Sequence, residues 1–298
     1  MSLFVCILIL ACIIPFIVYF IYCFYKSYEL AFFGSHPKRN KFNKKDIKFK
    51  YDEFKFSSNK VTLSGVIYKP NTKPKGTVIA CHYLGGSKFS IYSYIEPLLK
   101  NGYNVAAFDY PNHGESMDSR GNKYTLDEDM NLFVKIIRNK LDGPYGTIGF
   151  SMGATTALSI LDKYNDIKAA VLDSGPLIYV KDYFIYILTN KKIKNRLIRT
   201  IFTFMCLHIN GFSRMSRRMK KRLKRLKGFP VLMIHCKKDS IISFKNALYA
   251  YKNLESENSR LESVDKGHHL TNKVVLGEKY DRMIVDFFDK WLTEKVNE

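Results

Sequence analysis

Ser151 lies in Gly149-Phe150-Ser151-Met152-Gly153, and a serine flanked by glycines in this way is a candidate nucleophile for acyl transfer. Its hydroxyl attacks poorly near neutral pH, so the chemistry needs a neighbouring base, a group to orient that base, and donors for the developing oxyanion. Candidates for every role are present in the chain. The apolar stretch 146–150 predicts a strand before Ser151, and Ala154-Thr155-Thr156-Ala157-Leu158 predicts a closely packed helix after it. A sharp turn between the two would lift the hydroxyl above a sheet, and larger residues in place of the glycines would collide with the neighbouring strand and helix.

Asp239 follows the apolar run Val231-Leu232-Met233-Ile234-His235-Cys236, at the C-terminal end of an expected parallel strand, where such sheets place reactive groups. The competing reading is a turn aspartate that caps the helix beginning near Phe244. Asp173, in Val171-Leu172-Asp173-Ser174-Gly175-Pro176, ends another strand and is the runner-up acid. Asp109 precedes the nucleophile, which the order serine, acid, histidine disfavours. Beyond Asp239 the only histidines are His268 and His269, and spacing alone leaves the base open between them. The oxyanion donors would be backbone N–H groups: that of Met152, at the start of the helix, and that of Leu84, in His82-Tyr83-Leu84-Gly85-Gly86. Losing one such donor costs ~10²-fold or more in rate.

These residues need a scaffold of alternating elements. Residues 54–56 and 63–68 predict an antiparallel pair, and further strands are expected at 77–81, 104–108, 146–150, 169–173 and 230–235. Helices are expected at 92–101, 126–140, 152–164 and 280–292. Such alternation implies an α/β fold, a mostly parallel sheet covered on both faces by helices. The span 176–228 breaks the rhythm, with apolar stretches among many Lys and Arg, and is expected to be an inserted helical lid.

With 298 residues and 46% hydrophobic residues, the chain can bury one large core. Its formal charge of +21 favours anionic partners. Lys, Asn, Ile and Tyr are abundant throughout, however, as a biased genome composition would produce. No nucleic-acid motif accompanies the basic run 217–227, so no nucleic-acid partner is expected. The six cysteines show neither a disulfide framework nor metal-type spacing.

Residues 3–25 carry no charge, enough for a helix to cross a hydrocarbon core of ~30 Å. Residues 1–25 are therefore expected to form a transmembrane helix, followed by a basic linker at 26–50 and a catalytic domain at 51–298. A cleaved signal peptide is disfavoured by the missing basic n-region and the bulky end of the apolar run. Lys26, Lys38, Arg39, Lys41, Lys44 and Lys45 follow the span, so the positive-inside tendency places the catalytic domain in the cytoplasm.

Several motifs in order give the chain a family likeness: His82-Tyr83-Leu84-Gly85-Gly86-Ser87, Asn101-Gly102-Tyr103-Asn104-Val105, Phe108-Asp109-Tyr110-Pro111-Asn112-His113-Gly114-Glu115-Ser116, Gly149 to Gly153, and Val264-Asp265-Lys266-Gly267-His268-His269. From about Val61 to Leu292 it resembles the α/β-hydrolase superfamily, especially bacterial prolyl-oligopeptidase-like enzymes and membrane-anchored hydrolases of the Bem46 type. The resemblance implies the α/β-hydrolase fold, and its usual V-x-x-x-x-H ending places the base on His269. Tyr83 stands where the family's oxyanion loop usually has glycine, and 109–114 lacks the family's usual arginine, leaving His113 a structural role. The implied activity is a serine hydrolase without metal or organic cofactor, cleaving an ester, thioester or amide. An esterase or lysophospholipase-like enzyme acting on an acyl lipid at the membrane is favoured over a prolyl-oligopeptidase-like peptidase. An inactive membrane-tethered binding protein is the alternative of another class.

Overall fold

The computed structural model describes residues 11, 13–22, 24, 25, 39, 42–118, 126–175, 178–190, 195–209 and 212–293. Eight strands form one sheet: β1 (Tyr51–Ser58), β2 (Val61–Tyr68), β3 (Gly76–Cys81), β4 (Tyr103–Phe108), β5 (Tyr145–Phe150), β6 (Ile167–Asp173), β7 (Val231–Cys236) and β8 (Arg260–Val264). Their order across the sheet is β1-β2-β4-β3-β5-β6-β7-β8. β2 runs antiparallel to β1 and β4, and the pairs from β4 to β8 are parallel. Every residue of β3, β4, β5 and β7 is buried, as their continuous apolar runs require of strands covered on both faces.

The helices divide between these faces. Phe133 and Ile137 of α2 (Leu126–Lys140), Ala154 and Leu158 of α3 (Met152–Leu158), and Ala247 and Leu254 of α7 (Lys245–Leu254) join one core cluster. Ile95 and Leu98 of α1 (Tyr92–Lys100) and Ile284 and Phe288 of α9 (Glu278–Leu292) join the other. The described part of 176–228 contains three helices, α4 (Val180–Asn190), α5 (Arg196–Ile209) and α6 (Phe212–Arg225). Phe184 and Leu188 of α4 and Phe202 and Met205 of α5 make a small core of their own. Met219 and Leu223 of α6 enter the main core instead.

Two elements depart from expectation. α3 ends at Leu158, not near residue 164. Past that point the amides of Ser159, Ile160 and Lys163 bond the carbonyl three residues back, to Thr156, Ala157 and Ile160, and this tighter turning does not continue an α-helix. β8 is an additional strand. Its Arg260-Leu261-Glu262-Ser263-Val264 reads as polar because it lies at the sheet edge, where charged side chains discourage further pairing.

The expected transmembrane helix at 1–25 falls partly outside the described residues. Residues 13–22 are helical and their apolar side chains exposed. Among the described residues no helix is long and apolar enough to cross a membrane. The stretch expected as linker packs against the domain before residue 51, since Phe42, Ile47 and Phe49 lie on the second core cluster.

A buried ion cluster ties the β3 loop to the β4 loop. Lys88 and Asp109 are both fully buried, with Lys88 Nζ 2.9 Å from Asp109 Oδ2 and 2.6 Å from Glu115 Oε2. Asp109 also accepts from the backbone N–H groups of Lys88 (2.6 Å) and Glu115 (2.8 Å). Gly114 packs over this carboxylate at φ +48°, and a Cβ there would come within 2.2 Å of Asp109 Cγ. Partial burial alone would raise the pKa of Glu115, yet hydrogen bonds from Lys88 and Lys44 outweigh it and bring Glu115 down to about 2. Lys88→Ala would strand the Asp109 charge, and removing one partner of a buried pair costs about 3–5 kcal/mol. Denaturant unfolding should register that loss, whereas Lys69→Ala, at an exposed pair with Asp52, should cost under about 1 kcal/mol.

Candidate active site

Ser151 occupies the turn between β5 and α3 with φ +53° and ψ −114°, and its backbone N–H donates to Asp173 O at 2.8 Å. A non-glycine residue held in such a conformation costs of order 1–3 kcal/mol and persists only where its surroundings enforce it. The flanking glycines supply the room. A Cβ on Gly149 would lie 2.3 Å from Gly153 O, and one on Gly153 would lie 2.0 Å from Cys81 O and 2.6 Å from His82 O. Gly153 therefore lets the first turn of α3 press against the loop after β3.

Asp239 follows β7, and His269 lies in the loop between β8 and α8 (Asn272–Leu276). Far apart in the chain, Ser151, His269 and Asp239 meet in one hydrogen-bonded line. His269 Nε2 is 2.7 Å from Ser151 Oγ, and His269 Nδ1 is 2.7 Å from Asp239 Oδ2. The other Asp239 oxygen, Oδ1, accepts from the backbone N–H groups of Ile241 and Ile242, both at 2.9 Å. A carboxylate anchored by two amides faces the imidazole with its remaining oxygen. The Asp239 carboxyl is fully buried while Ser151 keeps 9% of its surface exposed. The reacting oxygen thus stands at the edge of solvent above a dry acid.

Met152 starts α3, and Leu84 sits in the turn after β3 that Gly153 contacts. Neither backbone N–H donates to an acceptor among the described residues, so both remain free to bind a negatively charged oxygen. His82, fully buried, sets the start of this loop. Its Nε2 accepts from Tyr110 N at 3.1 Å and its Nδ1 lies 2.8 Å from Tyr83 O, an arrangement that requires the neutral Nδ1–H tautomer. Desolvation, then the nearby His113, pushes its pKa well below the usual histidine value. Its uncharged form is a fixed brace, not a titrating group.

The other candidates lie elsewhere. Asp109 is taken up by Lys88 and Glu115. Asp173 is fully buried and accepts from Tyr280 Oη at 2.7 Å, Asn272 Nδ2 at 2.7 Å and Ser174 Oγ at 2.8 Å. Desolvation raises its pKa against those hydrogen bonds. It touches neither ring nitrogen of His269, although Ser174 Oγ also accepts from Leu270 N at 3.2 Å. His113 is buried, with Nδ1 2.9 Å from Pro111 O.

Sequence reasoning did not find Asn272, Tyr280 or Ser174, which tie the end of β6 to the loop carrying His269. No local signal marks them, because Asn272 and Tyr280 lie 99 and 107 residues from Asp173. Among the described residues no group of His, Cys, Asp and Glu is arranged to hold a metal ion.

His268, beside the base, holds the turn through its backbone, its N–H donating to Thr271 Oγ1 at 2.7 Å. His268→Ala should therefore keep kcat/KM within about threefold, a change under ~1 kcal/mol. A loss of 10³-fold in ester turnover would move the base from His269 to its neighbour.

A family described as alpha/beta hydrolase fold matches residues 76–196. Over 103 residues the chain is 33% identical to the uncharacterised protein YqkD of Bacillus subtilis, a match covering 32% of each chain. The chain spans about a third of the length of the curated relatives it matches. Among solved structures, an esterase of Pyrococcus furiosus is similar, with a TM-score of 0.69 and 26% identity over 86% of this chain and 97% of that one. The fold of an acylaminoacyl peptidase from Pyrococcus horikoshii is also shared, with a TM-score of 0.61 at 17% identity over 85% of this chain and 44% of the other.

Proposed function

We propose that the chain is a serine hydrolase of the α/β-hydrolase superfamily, acting on carboxylic esters through an acyl-enzyme, a reading supported by the family match over residues 76–196 and by the esterase of similar fold. The line from Ser151 Oγ through His269 to Asp239, with two contacts of 2.7 Å, carries the reading. Ser151 Oγ attacks the ester carbonyl carbon while His269 Nε2 takes its proton. Asp239 holds the Nδ1 proton and stabilises the imidazolium as it forms. The carbonyl oxygen, now negative, is received by the N–H groups of Met152 and Leu84. Collapse of the tetrahedral intermediate expels the alcohol, protonated by His269, and leaves an acyl group on Ser151. Water, activated by the same histidine, then releases the acid and restores the serine.

The 26%-identical esterase over most of the chain supports esters above amides. An amphiphilic acyl substrate at a membrane is supported by two further observations. Residues 3–25 are uncharged, and the helical residues among them expose Ile13, Phe16, Phe20 and Tyr25. The span 176–228 also combines cations on α6 with exposed Ile185, Leu197 and Phe204, the pairing that holds amphipathic helices at anionic interfaces. A single membrane span with the hydrolase domain on the cytoplasmic side follows from Lys26 and the cations after it. Protease added to intact cells should leave the domain uncut, and digestion from outside would reverse the orientation.

A panel of long-chain acyl esters, lysophospholipids and peptide amides tests the substrate class. Ester turnover at least about 100-fold above amide turnover is expected, a difference of ~2.7 kcal/mol in barrier. Preference for an N-acylated peptide would instead assign a peptidase.

A further inference from the structure

Between α4 and α7 lies a groove of about 370 Å³ lined by Lys181, Lys245 and Lys252, by Tyr179, Tyr249 and Leu248, and by Asp182. The two tyrosine rings stand edge to face with centroids 5.3 Å apart. Lys220 of α6 reaches over both, its Nζ 4.7 Å from the Tyr179 centroid and 5.2 Å from that of Tyr249. Three lysines and one carboxylate thus line the groove, and a fourth lysine, Lys220, stands over its two tyrosine rings.

None of the four lysines pairs with a carboxylate among the described residues, and neither does Asp182. The Tyr179 and Tyr249 hydroxyls likewise have no acceptor there. The α7 N-terminus adds to this imbalance, because its first turn has Lys245 and no acid, the reverse of what the helix dipole favours. The walls are held in place from below. Asn246 Oδ1 accepts from the backbone N–H groups of Ile178 (2.7 Å) and Tyr179 (2.6 Å), and its Nδ2 donates to Ser243 O (3.1 Å).

Three unpaired lysines and two phenolic hydroxyls offer more donors here than the one carboxylate offers acceptors, an imbalance that suits a compact anion with several acceptor oxygens. We propose that this groove binds a phosphate group, either free or carried by a small phosphorylated molecule such as a lipid headgroup. Its volume is at the small end for ligand sites, so it admits a headgroup without acyl chains. The inference does not depend on the serine chemistry.

The test is calorimetric titration of the full-length protein, in non-ionic detergent, with inorganic phosphate and with sn-glycerol 3-phosphate. Saturable binding is expected, with Kd raised at least about tenfold in the variant K220Q/K245Q/K252Q. The variant R218Q/K221Q/K224Q removes the same charge from exposed positions of α6 and should stay within about twofold of the parent. Equal affinity for the two probes assigns free phosphate, and tighter sn-glycerol 3-phosphate assigns a headgroup. If circular dichroism shows the groove variant unfolded, Lys252→Gln and Tyr249→Phe decide instead, each expected to weaken binding severalfold. Absence of saturable binding, equal weakening in both triple variants, or parent-like affinity in the two single variants would overturn the proposal. Because the readout is binding, an inactive Ser151 would leave the result readable.

Discussion

Ser151→Ala is expected to lower ester turnover by about 10⁴-fold or more and to abolish labelling by a fluorophosphonate probe. The expectation follows from what the substitution removes and what it leaves. The only atom lost is Oγ, the one 2.7 Å from His269 Nε2. The elbow stays intact, because alanine at φ +53° is as constrained as serine, and the bond from the residue 151 N–H to Asp173 O uses the backbone alone. The melting temperature should therefore move by no more than a few degrees, separating lost chemistry from lost fold. Unchanged probe labelling in a folded variant would remove Ser151 from the mechanism and with it the proposed acyl-enzyme.

Asp239→Asn should cost about 10³- to 10⁴-fold in kcat with little change in KM, and the reason is a tautomer. Oδ1 of the new amide can keep the bonds from Ile241 and Ile242 N–H, which turns its Nδ2 toward His269 Nδ1. That amide is a donor, so Nδ1 must become the acceptor and the ring proton must move to Nε2. With Nε2 protonated, His269 cannot take the proton of Ser151. Steady-state kinetics with a short p-nitrophenyl ester would measure the effect. A kcat within tenfold of the parent, matched by a large loss in Asp173→Asn, would transfer the orienting role to Asp173.

The contrast between those two aspartates shows how far sequence reading reaches. Both end parallel strands, in runs of similar composition, and β6 and β7 are neighbours in the sheet. Order along the chain and strand-end position bring both forward, with Asp239 favoured and Asp173 the runner-up, but they do not show what holds either carboxyl. They are parted by partners remote in sequence. Tyr280, Asn272 and Ser174 occupy the carboxyl of Asp173, whereas Asp239 keeps one oxygen for His269. The two adjacent histidines show the same limit at closer range. One residue of displacement along a loop turns a side chain in a different direction, and Leu270, at φ +59°, is part of a turn whose geometry no spacing rule contains.

The short length of α3 and the presence of β8 were illegible for another reason. Residues 159–163 hold nothing that breaks a helix, with neither Gly nor Pro among them, but the chain turns there on its way to β6. β8 carries the polarity of an edge strand, which in sequence is indistinguishable from loop. The groove of lysines belongs to the same class, since α4, α6 and α7 contribute to it from separate stretches, each of which reads alone as a solvated basic face.

By itself, then, the sequence determined the alternation of strands and helices, the elbow at Ser151, and the order serine, acid, histidine. These are local properties, set by residue types within a few positions and by periodicities of two and 3.6. Only the tertiary structure shows how Asp239 and His269 meet Ser151, what holds Asp173 away from the ring, and which buried charges are spoken for. Hydrogen-bond partners over about 100 residues are chosen by the packing of the sheet and its helices, and a contact formed across that separation leaves no spacing in the chain from which to read it.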